Sequence, residues 1–319
     1  MDTKSTNPQP FRVGMVLVDG FSLMSYSSAI EPLRAANLLS GKELYRVRNL
    51  PVFGARSISS TGAVVPATAH IGEQVDFDLV LLIASGNPFA FDDANALSWL
   101  RNLARRSVII GGVSGGPVIL AKAGVMKGKR MTVHWEHRGS LVERYPDLQL
   151  EHALYVVDKD RLTCAGGTAP LDMMHALISS HHGSDFARSV SDWYLHTDVR
   201  PAGGPQRAGL AQRYRTNSAP VLRVIETMES QLADPLTLSE LASDAGLGVR
   251  QLNRLFQAKL NMTTMVFYRK LRLDKANHLL AQSYLSVTEV ALATGFASTA
   301  HFSNCYKKHF GLAPSLNRG

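Results

Sequence analysis

Two stretches in the last third of the chain share one pattern, and that pattern decides the fold of this region. The first reads Leu238-Ser-Glu-Leu-Ala-Ser-Asp-Ala-Gly-Leu-Gly-Val-Arg-Gln-Leu-Asn-Arg-Leu-Phe256, and the second reads Val287-Thr-Glu-Val-Ala-Leu-Ala-Thr-Gly-Phe-Ala-Ser-Thr-Ala-His-Phe-Ser-Asn-Cys-Tyr306. Each starts as a short amphipathic helix and reaches a glycine, Gly246 or Gly295, where a sharp turn favours a residue without a side chain. A second helix follows. The sequence therefore predicts two helix-turn-helix units, whose second helices could lie in the major groove of DNA.

The second helix of each unit has an apolar face and a polar face. The residues that recur at helical spacing and are expected to face the core are Leu252, Leu255, Phe256, Phe302, Tyr306 and Phe310. The residues predicted to read DNA lie on the opposite faces and are Arg250, Asn253, Arg254, Gln257, Ala300, Ser303, Asn304 and Lys307. Most polar helix faces are merely solvated, but two copies about fifty residues apart, joined by a helical stretch over 271–280, favour DNA binding.

The excess positive charge of the chain lies in the same region. The net charge is +8, and the isoelectric point is about 9.6. Residues 1–196 hold 19 Lys and Arg against 18 Asp and Glu, whereas residues 197–319 hold 15 against 8. A basic module beside a nearly neutral one suits a region that must approach phosphates, although charge alone would also fit an anionic membrane surface. The helix-turn-helix pair favours DNA.

Residues 221–318 resemble the DNA-binding domain of AraC/XylS-type bacterial transcription regulators. The run that carries the likeness is Gly295-Phe-Ala-Ser298, Phe302-Ser303, Tyr306-Lys-Lys-His-Phe-Gly311 and Pro314. The chain departs from the family's pattern at Gly248, where a serine often caps the first recognition helix. Glycine there should weaken the cap by only about a few tenths of a kcal/mol.

The resemblance implies how the two units would meet DNA. Arg250, Asn253 and Arg254 would read bases in one major groove, and the second helix would read the next, about one helical turn away. Lys307 would lie near a phosphate. The resemblance also implies double-stranded promoter DNA, RNA polymerase and a second copy of the chain as partners.

The first two thirds of the chain alternate apolar strands with helices. After a polar tail over 1–10, strands are predicted over 11–18, 77–84 and 107–113, and helices over 25–39, 95–105, 117–123 and 171–181. Continuous apolar strands between helices are typical of a parallel sheet covered on both faces. The predicted fold class is therefore a doubly wound, mostly parallel α/β domain followed by an all-α domain with two helix-turn-helix units.

Ligands of such sheets bind beyond the carboxyl ends of the strands. We therefore expect the loops over 20–21, 85–88, 114–116 and 166–168 to converge on one pocket. The residues predicted to bind a ligand there are Phe21, Asn87, Ser114 and Thr168, together with His134, Trp135 and Glu136 from a later segment.

Two features of this pocket permit a catalytic interpretation. Gly112-Val-Ser-Gly-Gly116 matches the G-x-S-x-G elbow of α/β-hydrolases and lies between a strand and a helix. Asp172 and His175 would have to complete the triad, but they lie three apart on one predicted helix, which does not suit a triad drawn from separate loops. The segment His134-Trp-Glu-His137 could hold a metal, but further matched ligands are lacking, so neither a metal nor a cofactor is expected.

Residues 11–195 resemble the DJ-1/PfpI superfamily, and specifically the GlxA-type regulators that join this domain to an AraC-type reader. The likeness is carried by the elbow, by Ala121-Lys-Ala-Gly-Val-Met-Lys-Gly-Lys-Arg-Met-Thr-Val-His-Trp135 and by Gly166-Gly-Thr-Ala-Pro-Leu-Asp172. The superfamily's enzymes carry a reactive cysteine where this chain has Ser114, and protease-like members have histidine at Gly115. Ser25 occupies the position expected for the acidic partner. The resemblance therefore implies a DJ-1/PfpI-like pocket that binds without catalysing.

Some GlxA-type members respond to small nitrogenous metabolites such as glycine betaine, carnitine, choline derivatives or arginine, and the resemblance implies an effector of this class. A cationic nitrogen would suit an aromatic face near a carboxylate, which Trp135 with Glu136, or Phe21 with Phe89, could supply. Trp135 could equally be a core or interface residue.

The segment over 197–220 is rich in proline, glycine and arginine and has no apolar period. It is predicted to link a sensing domain over 11–196 to a DNA-binding domain over 221–319. Its arginines, Arg200, Arg207, Arg213 and Arg215, are expected to be solvated unless they touch DNA. Cys164 and Cys305 lie in different domains and imply no disulfide.

The chain opens without a signal-peptide pattern and has no apolar run of membrane-spanning length, so a cytoplasmic protein is expected. These features predict a ligand-responsive regulator of transcription, an activator, that is not an enzyme. Two alternatives stay open at this point. One is a hydrolase or amidase that uses Ser114 and carries a DNA-binding domain, and the other is a constitutive architectural DNA-binding protein with a vestigial amino-terminal domain.

Overall fold

The computed structural model describes residues 9–73, 76–106, 108–282 and 285–317. The chain divides into two compact units, and the boundary falls between Gln206 and Arg207. Within the described ranges, no helix has both the length and the apolar character that a membrane span requires.

The first unit alternates strands and helices. Its strands are β1 (Phe11–Leu17), β2 (Tyr45–Pro51), β3 (Arg56–Ile58), β4 (Val64–Pro66), β5 (Leu79–Ala84), β6 (Ile109–Ser114), β7 (Arg130–Met131), β8 (Gln149–Leu150), β9 (Tyr155–Asp158) and β10 (Arg161–Cys164). Its helices are α1 (Leu23–Ser40), α2 (Ala94–Arg105), α3 (Gly116–Lys122), α4 (Trp135–Arg144), α5 (Ala169–His182) and α6 (Ser184–Trp193).

Six of these strands form one sheet in the order β2-β1-β5-β6-β10-β9. Neighbouring strands run parallel, except that β9 is antiparallel to β10. Every residue of the central strand β5 is buried, because helices cover both faces of the sheet. The predicted doubly wound, mostly parallel sheet is confirmed.

Two apolar cores lie against the two faces of this sheet. One packs α2, α3 and α4 on the sheet through side chains such as Leu100, Ile119 and Leu141. The other packs α1, α5 and α6 through side chains such as Leu33 and Met174. Because the parallel strands run in one direction, they all end at the same edge of the sheet. The loops that follow β1, β5, β6 and β10 lie at that edge.

The predicted strand over 77–84 begins later, at Leu79. The carboxylate of the preceding residue, Asp78, accepts hydrogen bonds from the backbone N–H of Arg12 at 2.7 Å and from its guanidinium at 2.8 Å. These hydrogen bonds lower the pKa of Asp78. The strand predicted over 107–113 is β6, and Ser107, like residues 1–8 of the predicted tail, lies outside the described residues.

The structure adds elements that the hydrophobic pattern does not predict, among them the edge strands β2 and β9, the sheet strand β10 and the helices α4 and α6. In β2, exposed Arg46 and Arg48 alternate with less exposed residues, and the buried residues are confined to the two ends of the strand. Charged residues are common on edge strands because they discourage pairing with other chains. The same charges hide the strand from a search for apolar runs.

The second unit is all-helical. Its helices are α7 (Leu210–Arg213), α8 (Ala219–Ser230), α9 (Leu238–Asp244), α10 (Val249–Leu260), α11 (Thr264–Gln282), α12 (Val287–Ala293) and α13 (Thr299–Phe310). The two predicted helix-turn-helix units are α9 with α10 and α12 with α13. The long helix α11 lies between them and contributes to both of their cores, through Tyr268 in the first and Leu279 in the second.

The starts of the two units follow the same chemistry. Thr237 and Ser286 each cap a first helix by accepting from the backbone N–H three residues later, and Glu240 and Glu289 return the bond to the cap residue. Gly246 and Gly295 then turn the chain with φ of 65° and 72°. Left-handed backbone at these two turns explains why both are glycine.

The segment predicted as a solvated linker is divided between the two units. Arg200 binds Asp172 in the first unit, with Nη2 2.6 Å from Oδ2. Arg213 makes two hydrogen bonds of 3.0 Å to Glu229 in the second. The structure corrects the expectation of solvated side chains for Arg200 and Arg213, whereas Arg207 and Arg215 are exposed as expected.

Candidate functional site

Ser114 ends β6 within the elbow, residues 112–116, and has a left-handed backbone. Its φ is 61°, and it is only 6% exposed. The neighbouring glycines are required by packing, since a Cβ at Gly112 would lie 2.6 Å from Pro117 N and one at Gly116 would lie 2.0 Å from Leu82 O. The G-x-S-x-G spacing therefore follows from the close approach of strand, turn and helix, whether or not the serine reacts.

The loops predicted to converge on this point do so. The Ser85 hydroxyl donates to Gly20 O, which joins the loops after β5 and β1. A Cβ at Gly166 would lie 2.6 Å from Ser114 Cβ, which places the loop after β10 directly on the elbow. The backbone N–H of His134 donates to Ser114 O at 3.2 Å and brings the segment before α4 to the same place.

The elbow has no room for the histidine of protease-like members. A Cβ at Gly115 would lie 3.0 Å from Pro88 Cγ and 3.2 Å from Ala84 O, so even a methyl group presses on its neighbours. An imidazole could not be accommodated here without moving the loop over 85–88.

The position expected for an acidic partner is also filled by a neutral group. Ser25 is fully buried, and its hydroxyl accepts a hydrogen bond from Gly167 N at 2.9 Å. A Cβ at Gly166 would lie 3.0 Å from Ser25 Oγ, so this hydroxyl belongs to the elbow. Glu31, the next carboxylate along α1, is paired with Arg34 at 2.6 Å.

Asp172 and His175, the two residues left to complete a triad, are engaged elsewhere. Asp172 is fully buried and accepts from His196 Nε2 at 2.8 Å as well as from Arg200. His175 Nδ1 lies 2.8 Å from Ser191 Oγ. Over the part of the chain that the structure describes, no histidine or carboxylate hydrogen-bonds to the Ser114 hydroxyl.

The segment His134-Trp-Glu-His137 starts α4 beside the elbow. The nearest ligand atoms of His134, Glu136 and His137 lie within 4.8 Å of one another, which is the donor set of a zinc site. His134 Nδ1, however, accepts the backbone N–H of Glu136 at 3.4 Å and so caps the helix. Burial lowers the pKa of His134, against a smaller opposite effect of the Glu136 carboxylate, which favours a neutral imidazole.

The aromatic residues expected near the pocket differ in what they can offer a ligand. Phe21 and Phe89 are 0% and 2% exposed, and Phe21 packs edge-on against Tyr26 with ring centroids 5.6 Å apart. Both phenyl rings fill the core, so the prediction that they present a face to a ligand is wrong. Trp135 is 37% exposed and is not a core residue.

The two remaining candidates are polar. Asn87 Oδ1 is buried and, among the described residues, has no hydrogen-bond partner. Thr168 is exposed, and its hydroxyl accepts from Arg200 Nη2 at 3.0 Å. A buried acceptor left unpaired at the loop over 85–88 is satisfied when a donor reaches it.

The second helices of the two helix-turn-helix units, α10 and α13, repeat one pattern of burial at an interval of fifty residues. Leu252 and Phe256 in α10, like Phe302 and Tyr306 in α13, are fully buried. Neither helix contains an aspartate or a glutamate. Each unit therefore presents one exposed helix face that carries no negative side chain.

The residues predicted to read DNA lie on these faces and differ in how far their side chains are exposed. Those exposed are Arg250, Arg254 and Gln257 on α10, and Ala300, Asn304 and Lys307 on α13, whereas Asn253 and Ser303 are half-buried. Asn253 Oδ1 accepts the backbone N–H of Thr264 at 3.1 Å and so holds the start of α11. This tertiary contact leaves only the amide N–H2 of Asn253 for a base.

The caps of the two recognition helices also differ. Gly248 caps α10 without a side-chain hydrogen bond, whereas the Ser298 hydroxyl caps α13 by accepting from His301 N at 3.2 Å. Gly248 has an extended backbone, with φ −74°, which any residue can adopt. Glycine at this cap is therefore a departure of side chain alone, as the sequence predicts.

The comparisons with known proteins agree with both halves of this structure. A model of the DJ-1/PfpI family matches residues 11–180, and a helix-turn-helix domain model matches residues 241–318. The chain is 45% identical to the HTH-type transcriptional regulator GlxA of Rhizobium meliloti over 309 residues, which are 96% of this chain and 95% of that protein. It is 39% identical to the HTH-type transcriptional regulator CdhR of Pseudomonas aeruginosa over 95% of this chain and 90% of that one.

A solved structure supports the fold described for the first unit. The crystal structure of an AraC family transcriptional regulator from Pseudomonas putida superposes with a TM-score of 0.53 at 27% identity and covers 58% of this chain and 100% of that one. The fold, the paired readers and these likenesses define a DNA-binding regulator of transcription. The chain belongs to the GlxA-type helix-turn-helix transcriptional regulators, which join a DJ-1/PfpI domain to AraC-type helix-turn-helix units.

Proposed function

We propose that this regulator activates transcription in response to a small nitrogenous metabolite, which the elbow of the first unit binds without converting it. The observation that carries the proposal is Ser114, which keeps the left-handed backbone of an elbow while no described base contacts its hydroxyl. A nucleophilic serine needs such a base. Binding, rather than catalysis, is the function that this geometry supports.

The groups around the elbow favour a ligand with a positively charged nitrogen. Trp135 offers a partly exposed ring, which attracts cations through its negative face, and Glu136 supplies a carboxylate next to it. His134 adds no positive charge at neutral pH, because burial lowers its pKa. The unpaired Oδ1 of Asn87 would accept an N–H from the ligand.

A thermal-shift experiment with Trp135→Ala tests the effector half of the proposal. The full chain is screened against glycine betaine, carnitine, choline and L-arginine, and a ligand that binds the folded state raises its melting temperature. Loss of the indole ring is expected to weaken binding of the active compound at least about fivefold, as expected for removal of a desolvated cation–π contact. The effector response of a promoter reporter should fall with it, while the affinity for DNA in the absence of effector stays unchanged.

Trp193→Ala is the matched control, since Trp193 is also about half exposed but lies at the end of α6. Equal responses of the wild-type and Trp135→Ala chains would remove Trp135 from the site. Silence of every compound in the panel would favour the vestigial domain over a sensor. Effector-dependent repression of the reporter would overturn activation.

The remaining parts of the proposal rest on the resemblance to AraC/XylS-type regulators. We propose that two copies of the chain act together at a cytoplasmic promoter and contact RNA polymerase there. Sedimentation of the chain with and without promoter duplex tests the homodimer.

A further inference from the structure

The chain leaves the first unit through a connector, residues 196–206. Hydrogen bonds to the first unit hold this connector at its start, in its middle and at its end. At its start, His196 and Arg200 both bind the buried carboxylate of Asp172. In its middle, Ala202 O accepts the backbone N–H of Leu154 at 2.7 Å. At its end lies Gln206, and the next residue is the first of the DNA-binding unit.

The side-chain amide of Gln206 is inserted among acceptors of the first unit. Its Nε2 lies 3.1 Å from Thr132 Oγ1, 3.0 Å from Val133 O and 2.7 Å from Ala153 O. An amide nitrogen carries two hydrogens, so three acceptors compete for two donors. Its other atom, Oε1, is buried and has no partner among the described residues. The amide is therefore only partly satisfied, and its unpaired buried oxygen costs free energy that an exchange of partners can recover.

One peptide group connects this amide to the elbow. Val133 O, which accepts from Gln206, and His134 N, which donates to Ser114 O at 3.2 Å, belong to the same peptide bond. A peptide group is planar and moves as one body. A rotation that breaks the hydrogen bond to Ser114 therefore also displaces the carbonyl that holds Gln206.

We propose that Gln206 is a positioning residue that transmits occupancy of the elbow to the connector through the Val133–His134 peptide group. This inference rests on the proposed function of the elbow as an effector site. A ligand that contacts Ser114 or His134 rotates the peptide, and the Gln206 amide exchanges one acceptor for another. The end of the connector moves with it, one residue before the DNA-binding unit begins.

Hydrogen exchange of the full chain tests the local link without requiring an effector. In Gln206→Leu, which removes the amide and leaves an apolar side chain at this position, the His134 amide should exchange at least about tenfold faster. Amides of β1 should be unchanged, which separates local release from unfolding. Gln212→Leu is the control, because the Gln212 side chain is exposed and makes no hydrogen bond to the described part of the chain. An unchanged His134 amide in Gln206→Leu overturns the proposal, and Gln206→Met provides a second variant if the first does not fold.

A double-mutant cycle separates transmission from a merely structural role. Gly115→Ala adds one methyl group next to Ser114 in the chain, 3.0 Å from Pro88 Cγ, and so perturbs the elbow without a ligand. The affinity of each chain is measured for a duplex that the wild type selects from a random-sequence pool. Gly115→Ala should change this affinity about fivefold or more when residue 206 is Gln and less than about twofold when it is Leu.

Equal changes in both backgrounds, or no change in either, overturn transmission through Gln206. Neither result bears on the thermal-shift experiment, which measures binding at the elbow directly. Failure of this inference is therefore distinguishable from failure of the proposed effector site.

Discussion

Ser114 has a backbone conformation that serine rarely adopts, with φ of 61° at the end of a buried strand. Left-handed backbone costs about 1–2 kcal/mol for a residue with a Cβ. In a hydrolase this strain exposes the nucleophile to a base and an oxyanion hole. Here a buried serine hydroxyl stands in the acid's position, and a side chain at Gly115 would press on Pro88, so the strain accompanies the close packing of strand, turn and helix.

This interpretation predicts the outcome of an activity assay. The purified chain should hydrolyse activated esters and amides no faster than Ser114→Ala does, because no group accepts the hydroxyl proton. Turnover that disappears in Ser114→Ala would restore the hydrolase alternative. Cys164 offers no substitute nucleophile, since complete burial raises the pKa of its thiol to about 12.

At the scale of elements, the two helix-turn-helix units look equivalent in sequence but are not equivalent in packing. A Cβ at Gly246 would meet nothing within 4 Å, whereas one at Gly295 would lie 2.6 Å from Pro235 Cδ and 2.7 Å from Leu232 O. The turn of the second unit therefore packs against the segment that precedes α9. The turn of the first unit is open.

The pair supplies a matched test. Gly246→Ala should lower the free energy of unfolding by about 1–2 kcal/mol through backbone strain alone. Gly295→Ala has the same strain and a clash with backbone, which adds about 1–3 kcal/mol. Urea denaturation followed by circular dichroism measures both variants. Equal losses in the two would show that the contact between the second turn and the segment over 232–235 is absent in solution.

At the scale of the whole molecule, one chain carries two helix-turn-helix units, and we expect each copy to bind an asymmetric DNA site. Arg254 on α10 and Asn304 on α13 are exposed and occupy equivalent positions, fifty residues apart. We expect each to contact its own groove segment, and loss of a base contact is worth about 1–3 kcal/mol, or roughly 5- to 150-fold in affinity.

Footprinting with the selected duplex tests this expectation. Arg254→Ala should relax sequence preference in one half of the site and Asn304→Ala in the other. Arg223→Ala, an exposed arginine on α8, removes the same charge outside the recognition helices and should alter only the salt dependence, if anything. Unchanged occupancy by both recognition-helix variants would contradict the assignment of α10 and α13 as readers.

The sequence predicts the parts of this fold that depend on neighbours along the chain. The buried strands, the paired helices and the turns at Gly246 and Gly295 follow from apolar spacing and from backbone preference. The sequence does not predict edge strand β2, because its charged residues interrupt the apolar run. The sequence does not predict the helix over 135–144 either, because few of its residues are apolar and only one of its faces is buried.

The sequence also predicts the outline of the candidate site, namely which loops come together there. The convergence of the four loops follows from the parallel direction of the strands, because their carboxyl ends then lie at one edge of the sheet. The burial of the Phe21 and Phe89 rings cannot be predicted in this way. Whether a ring faces a ligand or the core depends on side chains that are far away in sequence. Gln206 and Arg200 carry no signal either, since they lie in a segment without periodicity.

The sequence by itself determined a basic double helix-turn-helix region, a parallel α/β unit and an elbow with serine in place of a reactive cysteine, because propensity, periodicity and residue chemistry are local properties. Only the tertiary structure decided that Asn253 holds α11, that Asp172 anchors the connector and that one peptide group lies between Ser114 and Gln206. These contacts join residues 11 to 73 positions apart, and hydrogen bonds over such separations depend on the packed fold rather than on any pattern along the chain.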